Sequence, residues 1–153
     1  MRKLIIVNKF GPSSNAITGQ LAKELADYLF NQGLQIQFVC IAADYLAGND
    51  RIKVELPYAV KNLREIYSGR SPVLRLLAGL VDGFRLRVAT SGIKADFVIV
   101  MTDPPLLFFW FQLFRRFSRK KLVYWTMDLY PDAFVAGNYI GSSNPIYRLF
   151  QFI

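Results

Sequence analysis

Two short stretches carry the residues best placed to do chemistry. Phe97-Val-Ile-Val-Met101 is an apolar run that leads into Thr102-Asp103-Pro104-Pro105. Leu122-Val-Tyr-Trp125 leads into Thr126-Met127-Asp128-Leu129-Tyr130-Pro131-Asp132. Ligands of open α/β sheets bind in the crevice beyond the carboxyl ends of parallel strands. A carboxylate delivered there can hydrogen-bond a substrate hydroxyl or accept its proton. The chain has no histidine, so any base within it is a carboxylate. Asp128 is the candidate catalytic residue, with Asp103, Tyr130 and Asp132 as candidate substrate-binding neighbours. Each has a structural alternative. Asp128 can cap the Leu129–Asp132 turn. Pro104 and Pro105 stop a strand and open a helix. Asp103 would then sit at a helix N-terminus, where a negative charge gains about 0.3–1 kcal/mol. That structural role is the preferred reading for Asp103.

The elements that must position these residues follow from periodicity. Lys3–Val7 is a continuous apolar run, as in a strand buried on both faces. Phe10–Asn15 is turn chemistry. Ile17, Leu21, Leu25, Tyr28 and Leu29 share one helix face, with Ser14 or Asn15 as cap and Gly33 as stop. Leu34–Ile41 reads as the second strand, parallel to the first by right-handed crossover. Arg51–Leu56 alternates and reads as a third strand, followed by a short helix near Val60–Ile66. Pro72 opens a helix whose apolar stripe is Val73, Leu77, Leu80, Phe84 and Val88, ending near Gly92. Ala95–Met101 is a fourth strand, Pro104–Phe117 a helix and Leu122–Met127 a fifth strand. Asn144-Pro145 opens a last helix that Ile153 cuts short, so the sequence reads as a fragment. The expected fold is α/β and Rossmann-like, a mainly parallel sheet with helices on both faces.

The loop after the first strand lacks both the G-x-G-x-x-G fingerprint and the P-loop pattern. Hydride chemistry is therefore disfavoured. Thr18 and Gly19, at a helix start, could still offer backbone N–H groups to a phosphate, or simply form an ordinary helix cap. No metal and no cofactor is expected.

At 153 residues the chain is one domain with a sizeable core. Its single cysteine, Cys40, sits in an apolar run and reads as a small buried hydrophobe, compatible with a reducing compartment. Lys3–Val7 is too short for the apolar region of a secretory leader, so none is expected. The net charge of +8 is concentrated. Arg115, Arg116, Arg119, Lys120 and Lys121 lie within seven residues that hold no acid, and an anionic partner is implied. No zinc spacing, RNA-binding aromatic signature or helix-turn-helix supports nucleic acid. The Leu106–Phe117 segment is apolar nearly all round yet far shorter than the roughly 20 residues that span a bilayer. It packs inside the protein, or its aromatics, Trp110 and Phe111 among them, enter a membrane interface while the basic cluster meets anionic headgroups. The membrane reading is preferred.

The wording TDPPLL followed by LVYWTMDLYPD resembles the N-terminal half of GT-B-fold glycosyltransferases of the family 4 type, which build O-antigen, colanic acid and related exopolysaccharides. The resemblance covers nearly the whole chain, strongest over 95–135 and weakest over 42–71. It implies the acceptor-side domain of a retaining glycosyltransferase, with the nucleotide-sugar donor held by a C-terminal domain not included in these residues. It further implies that the Thr18-Gly19 loop approaches the donor diphosphate. The acceptor would be lipid-linked, at the cytoplasmic face of the plasma membrane. Many relatives carry a histidine near the fifth strand's end; the sub-family with the D-L-Y-P wording has an aspartate, as here. The fragment alone is expected to be inactive. The rival reading is a non-catalytic membrane-associated or partner-binding domain derived from such an enzyme.

Overall fold

The computed structural model describes residues 2–42, 55–67 and 69–127, with 135 and 141. Along the chain the elements are β1 (Lys3–Phe10), α1 (Ile17–Asn31), β2 (Gln35–Ala42), β3 (Ala59–Arg64), α2 (Pro72–Ser91), β4 (Phe97–Met101), α3 (Leu107–Leu113), a 3-10 turn (Arg115–Phe117) and β5 (Lys121–Trp125). The five strands form one sheet in the order β3-β2-β1-β4-β5. Every pairing among them is parallel. The molecule is α/β and Rossmann-like in these residues.

Strand pleating explains why Leu4–Val7 of β1 is apolar without interruption. Successive side chains point to opposite faces, and both faces are covered. Ile5 and Val7 join Val39, Ile41, Val98 and Val100 beneath Leu86 of α2 and Leu107 and Phe111 of α3. Leu4 and Ile6 join Ile36, Phe38, Cys40 and Met101 beneath Ala22 and Ala26 of α1.

Several expectations are corrected. β3 occupies Ala59–Arg64, where a short helix was expected. The ladder to β2, from Gln37↔Ala59 to Ala42↔Arg64, outweighs a local pattern too polar to read as a strand. Glu55 and Leu56 belong to no strand, and the rest of the expected 51–56 strand lies outside the described residues. α3 starts at Leu107 rather than at Pro104 or Pro105. The chain turns first through a cis Asp103–Pro104 bond and through Leu106 at φ 64°. A bulky side chain in that left-handed region costs about 1–2 kcal/mol.

The buried face of α2 differs from the one expected, and that of α1 is shifted from it. α1 turns Gly19, Ala22 and Ala26 to the sheet, with Leu25 and Leu29 at the margins. Ile17 and Tyr28 of the expected stripe are exposed. The helix begins after Ala16, not Ser14 or Asn15, and no side chain caps it; Ser14 Oγ accepts the Ala16 N–H. Gly33 closes it at φ +83°, as expected of a C-terminal glycine. α2 buries Ala78, Asp82, Leu86 and Thr90, and leaves Val73, Leu77, Phe84 and Val88 exposed.

Candidate functional site

The sheet order fixes where a site can lie. From β1 the chain crosses to β2 and β3 on one side, then returns to β4 and β5 on the other. The order reverses between β1 and β4, and the crevice beyond their carboxyl ends is where open α/β sheets bind ligands.

Asn8, Lys9, Thr102 and Asp103 stand at that point. The Lys9 N–H donates to the Asp103 carbonyl at 2.8 Å, which ties the two strand ends together. The register of β1 against β2 shifts between Asn8 and Phe10, so Lys9 sits on an irregularity that re-aims the chain. The Lys9 ammonium pairs with Glu65 at 3.0 Å, at the exit of β3. Asn8 is fully buried and donates from Nδ2 to the Phe10 carbonyl at 3.0 Å. Its Oδ1 is buried with no protein partner, as is Thr18 Oγ1 on the first turn of α1. Buried acceptors and hydroxyls of this kind are costly unless something satisfies them. Thr102 is buried, and its Oγ1 accepts the Met127 N–H at 3.1 Å. That bond holds the exit of β5 against the exit of β4, one residue before Asp128.

The loop Phe10–Ala16 packs tightly against β2, β3 and the first turn of α1. A Cβ on Gly11 would come within 2.7 Å of Cys40 Sγ, and one on Gly19 within 2.7 Å of the Gly11 carbonyl. Gly19 is therefore needed for close packing of α1 on its own preceding loop. The Cys40 thiol donates to Asn62 Oδ1 at 2.8 Å, and burial pushes its pKa up to about 12. It is a neutral, structural thiol.

Of the residues singled out from sequence, Thr18, Gly19 and Asp103 lie at this edge. Asp103 is not a helix-terminus charge: α3 begins four residues later, with Leu106 before its first turn. What Asp103 contributes through its backbone is the bridge to Lys9. Asp128, Tyr130 and Asp132 lie outside the described residues. Asn8, Lys9 and Thr102 were missed. The signal that could have found Asn8 is a polar residue closing an otherwise apolar buried run, Leu4-Ile-Ile-Val7.

The expected membrane-contact residues divide. Phe111 belongs to the core beneath α3, and Trp110 packs on Gly83, with its ring 5.3 Å from that of Phe84. Phe111 is thus withdrawn from the surface, and Trp110 is half-buried. Arg115, Arg116, Arg119 and Lys121 are exposed. The Lys120 ammonium instead donates to the Thr90 and Ser91 carbonyls at the end of α2, at 3.0 and 3.4 Å. Burial lowers its pKa, and the nearby Arg87 charge lowers it further. Arg87, itself buried, donates to the Phe114 carbonyl at 3.2 Å. β5 starts at Lys121, so this basic region lies at the amino edge of the sheet, opposite the crevice. Among the described residues no group of His, Cys, Asp and Glu could hold a metal ion. No helix among them is long and apolar enough to cross a membrane.

Set against protein families, curated proteins and solved structures, the chain matches no family model, no curated protein and no solved structure.

Proposed function

We propose that this chain is the acceptor-side domain of a retaining glycosyltransferase that moves a sugar from a nucleotide-sugar to a lipid-linked acceptor in cell-surface polysaccharide synthesis. The observation that carries the reading is the convergence of Asn8, Lys9, Thr102 and Asp103 at the β1/β4 reversal. The two stretches that resemble the transferases, TDPP and LVYWTMDLYPD, both leave the sheet at that same edge. In this reading the buried Asn8 Oδ1 accepts a hydrogen bond from an acceptor hydroxyl, and Asp128 orients that hydroxyl or takes its proton. Thr18 and Gly19 face the donor diphosphate, which a second domain grips. The protein works peripherally at an anionic membrane surface on the cytoplasmic side. Fold alone does not fix such a function; the polar groups at the reversal point and the wording of the strand exits support it.

The test is an amide NMR titration of the chain with a short-chain polyprenyl-diphosphate sugar in detergent micelles. Shifts should concentrate at Asn8, Lys9 and Thr102. Asn8→Ala should weaken binding about tenfold, because a buried polar group matched to a substrate hydroxyl discriminates strongly. Because Asn8 is fully buried and donates to the Phe10 carbonyl, the variant should also melt lower, and binding is compared at a temperature where both proteins are folded. Shifts confined to the amino edge, or none, would remove this site from consideration.

A further inference from the structure

α2 is built inside out. Its buried side, turned to the sheet and α3, carries Gly79, Asp82, Gly83, Leu86 and Thr90. Its outward side carries Val73, Leu77, Val81, Phe84 and Val88, at spacings of three and four that keep them on one stripe. All five are exposed, Val73 at 65% and Val88 at 52%. The stripe continues beyond the helix through rings: Phe84 to Phe114 at 6.1 Å and Phe114 to Phe117 at 6.5 Å. Phe117 is 83% exposed and shares its 3-10 turn with the exposed Arg115 and Arg116.

The charge around this stripe has one sign. Between Glu65 and Asp96 the sole carboxylate is Asp82, buried and held by Arg85 at 2.7 Å. Among the described residues the helix therefore presents no exposed carboxylate of its own, while Arg75 near its start and Arg115 and Arg116 at its end are exposed. A 20-residue helix is about 30 Å long, but it is not apolar enough to cross a membrane. An apolar stripe flanked by arginines and free of acid matches the plane where acyl chains meet anionic headgroups.

We infer that the outward face of α2, continued by Phe117, lies in the surface of an anionic bilayer, with Arg115 and Arg116 among the headgroup phosphates. This deepens the membrane part of the function proposed above and moves the contact from Trp110 and Phe111 to α2. Helix α2 runs antiparallel to the strands, from the crevice edge to the basic edge. Lying flat, it would hold the crevice beside the bilayer rather than facing away from it.

Sedimentation of the chain with vesicles tests this without any sugar. Vesicles of phosphatidylcholine with phosphatidylglycerol should carry the protein down, and phosphatidylcholine alone should not. Leu77→Glu/Val88→Glu should lower the partition coefficient about tenfold or more. Arg115→Gln/Arg116→Gln should lower it as well, and so should salt. All four side chains are exposed, so circular dichroism and melting should match wild type; if the glutamate pair unfolds, Val73→Glu/Val81→Glu serves instead. Unchanged binding by a folded glutamate pair, or equal binding to phosphatidylcholine, defeats the inference. So does a wild-type dimer in lipid-free sedimentation that the glutamate pair abolishes, with no vesicle binding, because the face would then cover a second copy. Micelle titration of Asn8 and vesicle binding by α2 are separate readouts, so either can fail alone.

Discussion

Cys40 shows how tightly the loop after β1 is packed on β2. The thiol sits under Gly11 with no room for a methyl group between them, and donates its hydrogen bond to Asn62 Oδ1. Burial raises its pKa from 9.0 to about 12. In the unfolded chain the thiol ionises near its ordinary value, so above pH 9 the unfolded state holds fewer protons than the folded one. Stability from the neutral thiol is complete below pH 9 and is lost as pH rises toward 12, at about 1.4 kcal/mol per pH unit. Tyr58 adds a similar loss that begins above its ordinary 10.0, because burial, and then the hydrogen bond and charge of Asp27, raise its pKa. Urea midpoints of the wild type should fall between pH 9 and 10, while those of Cys40→Ala should stay level over that interval. A parallel fall in both proteins would assign the slope to another group.

At the scale of elements, the period of a helix was legible but the sign of its buried face was not. Hydropathy alone places Leu77 and Phe84 inward and glycine anywhere. In α2 the inward positions are small because the helix lies close to its neighbours. A Cβ on Gly83 would meet Trp110 Cδ1 at 2.9 Å, and one on Gly79 would touch Pro104 at 3.6 Å. α1 repeats this with Gly19, Ala22 and Ala26. The apolar runs of β1 and β4 could be read because both faces are covered, and β2 and β5 because each still holds a run of apolar residues, although β5 lies at a sheet edge and is partly exposed; β3, at the other edge with mostly exposed polar side chains, could not. The inversion of α2 sets a direct contrast. Gly83→Leu, which adds apolar bulk, should cost about 1–3 kcal/mol through overpacking. Leu77→Asn, which removes apolar surface, should change stability by less than about 0.5 kcal/mol. Chemical denaturation of the two variants decides it, and the opposite ranking would mean that the sequence-derived stripe is the buried one.

Across the whole molecule, polar function is divided between the two edges of one sheet. The carboxyl edge gathers Asn8, Lys9, Thr102 and Asp103 around the reversal of strand order, and the amino edge gathers Arg87, Arg115 and Lys120. Asp103 and the strand exits could be found in the sequence because acid-proline pairs mark where a strand stops. Asn8 left a signal, a polar residue closing an apolar run, but its place and that of Lys9 at the reversal follow only from the sheet order. Asp128 is the residue that follows Met127, whose N–H Thr102 holds at that edge. In an active enzyme assembled from this chain and a donor-binding domain, Asp128→Asn keeps shape and most hydrogen bonding but removes the basic carboxylate. Loss of a general base costs about 10²–10⁴-fold in rate. The expected signature is a fall of that size in kcat, little change in KM and a nearly unchanged melting temperature. The chain without a donor domain should turn over no nucleotide-sugar at all, because transfer needs donor and acceptor held in one cleft. An Asp128→Asn enzyme that melts several degrees lower yet turns over normally would make Asp128 a turn cap, and would leave the chemistry of the crevice to Asp103.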